Sequence, residues 1–455
     1  MYALVNVNFG FETMRTLLLL ATLVFTACNA PPDTSSQVLS EPAEASAGDL
    51  DIYCGVLIDG IAEEVQRRQW VSIRNGRITS VTKAAPDATS AAEVLDLGEF
   101  SCLPGLIDTH VHIALLAEDS SDMTIYYRRS VEETTRIAEE NAARTLDAGF
   151  TTVRNVGDYF PAVVYDMKLR EQDGSVRSPR IQTAGPYLTI PAGGGDLVIP
   201  EVDESTIPPE TRLGVARGPE DFAIKAQAAI DQGADVLKII ASGAVFAFGG
   251  VPGAPEMTPE EIAAVVQVAK ANGVRVTAHA HGAQSIKDAV LAGVDSIEHA
   301  SLADDEAIAL AAEHGVAFSM DVYNGTYTAE VGEEQNYPEE FMQKNYDTTE
   351  AQRVVFEKAY AAGVPIIFGT DAGVYPHGLN ARQFPIMVQR GMRAMDAIKA
   401  ATSVAAEQMD LADDVGAIEA GRYGDLIAVR TNPVGDISAL QSVEVVVKGG
   451  VVEKR

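Results

Sequence analysis

The feature that most constrains the fold is a repeated unit in which a helix-like stretch ends at a glycine and an apolar, strand-like run follows at once. The segment AGVPIIFGTDAG around Gly363 is typical of this unit. Glycine adopts the left-handed conformation that ends a helix at little cost, so each unit predicts a helix followed directly by a buried strand. The same pattern recurs at Gly149, Gly233, Gly273, Gly293 and Gly315.

Two more apolar segments, GLIDTHVHI and RIQTAGPYL, complete a set of eight predicted strands that alternate with helices. Eight parallel strands with intervening helices over roughly 300 residues close most simply into a (β/α)8 TIM-like barrel. An open, doubly wound sheet is the alternative that this alternation leaves. We therefore predict an α/β protein with its barrel over residues 105–410.

Both ends of this region carry β-type patterns instead. Short apolar runs with turn signals occupy residues 50–104, where Asn75-Gly76 predicts a tight hairpin. Residues 411–455 repeat this character and place Gly449-Gly450 between two apolar runs. We predict that the two ends of the chain together form one small β-sandwich domain.

The N-terminus resembles an export signal. An apolar run from Leu17 to Phe25 follows Arg15, and it is shorter than the about 20 residues that a membrane-spanning helix needs. Because FTAC at the end of this run resembles a bacterial lipoprotein signal, we predict that residues 1–28 are a signal peptide and that Cys28 carries a lipid anchor. Plain secretion is the alternative, and either Met1 or Met14 can be the true start. Residues 29–49, rich in Pro, Ser, Ala and Glu, predict a flexible tether.

The predicted location is therefore outside the cytoplasm, as a periplasmic or outer-membrane-anchored bacterial lipoprotein. The 455 residues include 34 Lys plus Arg and 65 Asp plus Glu, so the net charge of −31 would repel phosphate backbones. We expect no nucleic-acid partner. Besides Cys28 the chain has only Cys54 and Cys102, too few for a cysteine-based zinc module. A disulfide between these two and a pair of buried thiols both fit.

Ionisable residues fall at the C-terminal ends of the predicted strands, where barrel active sites are built. His110 and His112 alternate on the first strand, so both imidazoles point to one side and can bind one metal. Taken singly, each such residue has an ordinary structural explanation, such as a paired lysine or a helix-capping aspartate. Their joint occurrence favours a metal site. The remaining members are Lys238 in the fourth strand, His279 and His281 in the fifth, His299 in the sixth and Asp371 in the eighth.

This set of residues, with the LPGLIDTHVH segment and the sheet from both chain ends, resembles the amidohydrolase superfamily of binuclear metal hydrolases. The resemblance spans about residues 50 to 455 and implies a distorted (β/α)8 barrel with two divalent metal ions, which we expect to be zinc. It implies that His110 and His112 bind the first ion and that His279 and His299 bind the second. It also implies that Lys238, carboxylated by carbon dioxide to N6-carboxylysine, bridges both ions.

Two residues receive catalytic roles from the same resemblance. Asp371 would bind the first metal and act as the base, and His281 would polarise the carbonyl or bind substrate. A supporting hydrogen bond is the alternative for His281. Zinc lowers the pKa of bound water from about 15.7 towards about 7, so a metal-bound hydroxide is available at neutral pH.

The segments IASG, TAHAHG and SIEHA are most similar to the branch with Xaa-Pro dipeptidases, carboxypeptidases that act on N-acyl or dipeptide substrates, and ochratoxin-degrading amidases. This implies hydrolysis of an amide or peptide bond in a small substrate, with release of a C-terminal amino acid. Arg154, Tyr187 and Tyr323 follow strands and are candidates to bind the substrate carboxylate, and the sequence does not rank them.

Other functions fit the sequence less well. A lactonase or esterase would use the same hydroxide and stays open. A deaminase usually lacks the lysine that Lys238 provides, and a non-catalytic solute-binding lipoprotein would lack a ligand, whereas none is missing. We expect specificity to depend on loops such as 244–256 and 321–345. A structural role is favoured for His314 and for His377, with substrate contact as the alternative for His377. The oligomeric state, monomer or homo-oligomer, stays open.

Overall fold

The computed structural model describes residues 49–86 and 92–455. The predicted signal peptide with Cys28, and the predicted tether up to residue 48, lie outside these described residues. Within the described part of the chain, no helix combines the length and the apolar character that crossing a membrane requires.

The strands and helices alternate through most of the chain. The strands are β1 (Leu50–Leu57), β2 (Gln66–Arg74), β3 (Arg77–Thr82), β4 (Glu93–Pro104), β5 (Leu106–Val111), β6 (Phe150–Asn155), β7 (Arg180–Thr183), β8 (Val236–Ile240), β9 (Arg275–Gly282), β10 (Ser296–Leu302), β11 (Ala317–Ser319), β12 (Ile366–Ile367), β13 (Leu426–Val429), β14 (Val445–Lys448) and β15 (Val451–Lys454). The α-helices are α1 (Val131–Asp147), α2 (Pro161–Gln172), α3 (Gly218–Asp231), α4 (Pro259–Asn272), α5 (Ala283–Ala292), α6 (Asp305–His314), α7 (Asn324–Val331), α8 (Glu339–Ala362), α9 (Gln383–Gln389), α10 (Ala394–Ala400) and α11 (Ser403–Gln408).

Strands from both ends of the described chain share one sheet. Its order is β15-β14-β13-β4-β1-β2-β3, with β4 pairing parallel to β1 and antiparallel to β13. The strands thus form a single seven-stranded ladder, and the predicted arrangement of two packed sheets in a β-sandwich is not confirmed. The reason is the length of β4, whose 12 residues pair with the N-terminal and the C-terminal strands at once.

The two predicted hairpins of this sheet are present. Asn75 and Gly76 both have positive φ and turn β2 into β3, and Gly449 and Gly450 do the same between β14 and β15. A disulfide joins Cys54 in β1 to Cys102 in β4, which decides between the two alternatives that the sequence left open.

The eight strands predicted between the two ends, β5 to β12, form a TIM-barrel-like α/β fold with helices between successive strands. They are divided into a three-stranded sheet, β5-β6-β7, and a five-stranded sheet, β12-β11-β10-β9-β8, and all pairs in both are parallel. Isolated parallel bridges connect the two sheets, Leu188 with Ile239 at one junction and Val111 with Ala372 at the other. A continuous closed ladder is therefore not formed, because β7 and β12 end after 4 and 2 residues.

The helix ends explain how the strands come to share one direction. In α4 the buried residues Ile262, Val265, Val266 and Ala269 form one apolar stripe, and the helix ends at Gly273 with φ of 67°. The next strand starts at Arg275, so this glycine reverses the chain within a few residues. All the glycines predicted to end helices have positive φ: Gly149, Gly233, Gly273, Gly293, Gly315 and Gly363. The C-terminal ends of the parallel strands consequently face the same side of the fold.

Candidate metal centre

One cavity at the C-terminal ends of the parallel strands collects every residue of the predicted metal site. It has a volume of about 990 Å³ including its mouth. None of the predicted residues is more than 6 % exposed, so the site is a buried polar cluster at the bottom of an open cavity. The predicted residues that line it are His110, His112, Lys238, His279, His281, His299 and Asp371.

The side chains form two groups that share His299. The potential ligand atoms of His279, His281 and His299 lie within 4.8 Å of one another, as do those of His110, His299 and Asp371. The Asp371 Oδ1 atom lies 3.3 Å from His110 Nε2 and 3.1 Å from His112 Nε2. The structure therefore brings His110, His279, His281, His299 and Asp371 into two donor sets that share His299, and His112 joins the second set through Asp371.

Each imidazole in the cluster has one ring nitrogen held by a neighbouring group, which leaves the other for the cluster. Such support fixes the tautomer and orientation of histidines that bind metals. Nitrogen and carboxylate oxygen donors in this number are the ligands that zinc and similar divalent ions use. The residues present therefore fit a divalent metal. The supporting contacts are His110 Nδ1 to Glu298 Oε2 (2.7 Å), His112 Nδ1 to the Gly157 carbonyl (2.8 Å), His279 Nε2 to the Gly243 carbonyl (3.3 Å), His281 Nδ1 to Ser301 Oγ (2.8 Å) and His299 Nδ1 to Asp321 Oδ1 (2.9 Å).

Lys238 is the most unusual member of the cluster. It is 2 % exposed on β8, and its side chain forms no hydrogen bond or ion pair with any residue that the structure describes. An ammonium group without partners is costly to bury. Burial accordingly lowers the pKa of Lys238 to about 8, which increases the fraction of neutral amine at a given pH.

An ion pair beneath the cluster supports His110. Glu298 is fully buried and accepts a hydrogen bond of 3.0 Å from Arg154 Nη2, while its other oxygen contacts His110. Burial opposes ionisation, but His110 and Arg154 hold the pKa of Glu298 well below its usual range. Arg154 is 1 % exposed and also donates to the Thr109 carbonyl, so it is not available to a substrate carboxylate.

The other two candidates for substrate contact differ in position. Tyr187 lines the cavity, and its hydroxyl lies 3.1 Å from His112 Nδ1. Tyr323 does not line the cavity; its hydroxyl accepts a hydrogen bond of 2.8 Å from Arg382. The structure thus retains Tyr187 alone of the three candidates.

The backbone bends sharply at two of the ligand positions. His299 and Asp371 have φ of 71° and 62°, the left-handed conformation that residues other than glycine rarely adopt. Such strain costs about 1–3 kcal/mol at each position and is found mostly at functional sites. His299 lies within β10 at an irregularity in its pairing with β9, whereas Asp371 follows the end of β12, and both side chains line the cavity.

Two residues that connect the donor sets, Asp321 and Asn324, were not predicted from the sequence. The Asn324 side-chain amide donates to Asp321 Oδ2 and to Asp371 Oδ2, each at 3.0 Å, and Gln352 donates to Asp321 Oδ1 at 2.6 Å. Asp321 follows the seventh predicted strand, so the same strand-end argument could have found it. No sequence pattern marks Asn324, which lies at the start of α7.

Segment 321–345 is not a loop, because it contains α7 and the start of α8, although Asn324 and Asn345 do line the cavity. His377 lies outside the cavity; it donates to the His112 carbonyl at 3.2 Å and its Nδ1 contacts Thr145 Oγ1 at 2.8 Å. His314 lies in the last turn of α6.

Comparisons with known proteins agree with this geometry. The model of the amidohydrolase family matches residues 102–452. The ochratoxinase of Aspergillus niger is 28 % identical over 452 residues, which cover 93 % of this chain and 92 % of that protein. A solved Xaa-Pro dipeptidase with methionine bound in its active site is 36 % identical, covering 90 % of this chain and 100 % of that one with a TM-score of 0.82.

A further solved structure, a prolidase in complex with N-methylphosphonate-L-proline, is 27 % identical over 90 % of this chain and 100 % of that one, with a TM-score of 0.82. The resemblance noted in the sequence is therefore confirmed across nearly the whole described chain. The chain belongs to the amidohydrolase family and is a hydrolase of amide or peptide C–N bonds.

Proposed function

We propose that the protein is a binuclear metal-dependent amidohydrolase that cleaves an amide bond in a small substrate and releases an amino acid with a free α-carboxylate. The observation that carries the proposal is that the two donor sets and the buried Lys238 line the same cavity. Three similar proteins support the substrate class: an ochratoxinase, a dipeptidase with bound methionine and a prolidase with a bound proline derivative.

In this proposal His110, His112 and Asp371 would hold one zinc ion, and His279 and His299 would hold the other. Lys238, as N6-carboxylysine, would supply an anionic group with two oxygens as a further ligand, whereas an ammonium would be repelled by the ions. Bound zinc ions would acidify a water molecule and polarise the substrate carbonyl.

The chain's own residues move the protons. Asp371 accepts a proton from the attacking water and passes it to the leaving amine, a role worth roughly 10²–10⁴ in rate. Its Oδ2 atom accepts a hydrogen bond from Asn324, which fixes the carboxylate while Oδ1 faces His110 and His112.

His281 donates a hydrogen bond to the substrate carbonyl oxygen. Burial lowers the pKa of His281 to about 3, with the nearby His299 as a further cause, so its imidazole is neutral. When the Ser301 hydroxyl donates to Nδ1, the proton lies on Nε2, where it can be donated to the carbonyl oxygen.

A substrate panel tests the reaction class. We expect the zinc-loaded protein to hydrolyse N-acyl amino acids or dipeptides, as measured by release of the free amino acid. The matched compounds are esters and lactones of the same acyl groups. Turnover of esters or lactones a thousandfold faster than every amide tested would assign the site to a lactonase or esterase.

Replacing Lys238 tests the bridging role. We expect Lys238→Ala to lose bound metal and nearly all activity while circular dichroism stays that of the parent. Propionate should restore part of both, because it can place a carboxylate in the vacated space. Lys238→Arg is the matched control and should not respond to propionate. An alanine variant with two metals and parental activity in carbonate-free, acid-free buffer would contradict the bridging role.

Asn324 offers a test of how Asp371 is held. In Asn324→Asp a third carboxylate would face Asp321 and Asp371, and like charges would displace the base. We expect kcat to fall at least tenfold with KM changed much less, as measured by steady-state kinetics. Asn272→Asp, on the exposed end of α4, is the control and should retain parental kinetics. Equal kcat in both variants would show that Asp371 does not depend on this amide.

We also propose that the protein is exported and held by lipid at Cys28. The disulfide between Cys54 and Cys102 supports this location, because disulfides persist mainly in oxidising compartments. Cys28→Ser should move the protein from the membrane fraction to the soluble fraction, as detected by immunoblotting. Membrane association that is unchanged in this variant, with no lipid label on the parent, would refute the anchor.

A further inference from the structure

A segment outside the metal ligands forms part of the cavity wall. We call residues 244–250, which follow β8, the flap. Val245 and Phe246 of the flap line the cavity. Glycines allow the backbone conformation of this segment. Gly249 has φ of 75°, and at Gly243, just before the flap, a Cβ atom would lie 2.4 Å from the Val251 carbonyl oxygen.

An ion pair on α8 holds the flap backbone. Lys344 Nζ donates to the Ala247 carbonyl at 2.6 Å and lies 2.7 Å from Glu340 Oε1, which accepts a hydrogen bond of 2.8 Å from the Gly249 amide. Lys344 is 8 % exposed, and a charge so deeply buried is tolerated only when it is paired. One ion pair thus fixes two backbone groups of the flap.

Aromatic packing fixes the side chains of the flap against the same helix. Phe248 and Phe246 have ring centroids 4.6 Å and 5.6 Å from that of Phe341, and Phe246 also lies 6.2 Å from Tyr337. Phe246 is therefore held from behind by aromatic rings while it contributes to the cavity lining.

The rest of the lining shows what kind of group would contact Phe246. Among the described residues that line the cavity, Lys238 is the only lysine or arginine. Outside the metal centre the lining combines uncharged polar side chains such as Asn345 and Thr348 with apolar and aromatic ones, and the apolar part suits a bulky uncharged group. The apolar and aromatic lining residues outside the flap include Leu115, Leu116, Met123, Tyr126 and Tyr159.

We propose that Phe246 is a specificity wall for a bulky apolar or aromatic group of the substrate, and that the Glu340–Lys344 pair is a clamp that positions this wall. The inference rests on the proposed amide hydrolysis and names the side-chain class that the site prefers. Phe246 contacts the substrate, whereas Lys344 acts through Phe246 as a positioning residue.

The first test measures the preference itself. The parent and Phe246→Ala are compared by two ratios of kcat/KM. The first is the value for N-acetylphenylalanine over that for N-acetylalanine, and the second is the value for the 3-phenylpropanoyl amide of glycine over that for the propanoyl amide. At least one ratio should fall on the order of tenfold or more, as expected for loss of a hydrophobic pocket contact. Phe246→Leu is a second variant that retains apolar contact with Phe341. Unchanged ratios in both folded variants would overturn the wall.

The second test asks whether the clamp acts through the wall. Lys344→Met retains the aliphatic stem but not the ammonium, and it should raise KM for the aromatic substrate more than it lowers kcat. In a Phe246→Ala background the same replacement should add little further effect, because the wall is already absent. Lys358→Met, on an exposed part of α8 where Lys358 pairs with Asp305, is the control. Fully additive effects of Phe246→Ala and Lys344→Met would refute the clamp.

A binding measurement separates this inference from the proposed reaction. Calorimetric affinities for L-phenylalanine against L-alanine, and for 3-phenylpropanoate against propanoate, require no turnover. If the parent hydrolyses no amide but binds an aromatic member more tightly through Phe246, the proposed reaction fails and the wall stands. If amides are hydrolysed and neither affinities nor ratios depend on Phe246, the wall fails and the reaction stands.

Discussion

The cost of burying ionisable groups governs the centre of this molecule. Lys238 is the clearest case, because its amine is buried beside histidines and a carboxylate without a hydrogen bond or ion pair to any described residue. The neighbouring groups, in contrast, are individually supported. Glu298 holds His110, and Asp321 holds His299. This contrast motivates the proposal that Lys238 is carboxylated and shares metal ions with the histidines.

The arrangement of the strands makes such a cluster accessible to sequence reasoning. In parallel strands connected by helices, the C-terminal ends meet on one face, and alternating residues share one side. Those two rules were sufficient to place His110 with His112 and His279 with His281, and to bring Asp371 to the same cavity. The hairpin at Asn75-Gly76 is also predictable from the sequence, because that turn depends on two adjacent residues alone.

Features that depend on packing between distant segments were not predictable in this way. Arg154 lies near the C-terminal end of β6 and its charge suits a substrate carboxylate, but it pairs instead with Glu298 on β10 in the interior. β4 pairs with strands from both chain ends and joins them in one seven-stranded sheet, and the predicted β-sandwich is not confirmed. The left-handed backbone of His299 lies within β10, at an irregularity in its pairing with β9, which no residue pattern marked.

Whether Lys238 contains the carbamate is the point on which the proposed reaction chemistry depends most directly. The holoenzyme, loaded with zinc in the presence of ¹³C-bicarbonate, can be studied by ¹³C nuclear magnetic resonance, with Lys238→Ala prepared in the same way as the reference. The proposal predicts a carbamate resonance that is present in the parent and absent from the variant. A parent protein with two bound metals, full amide hydrolysis and no such resonance would contradict it.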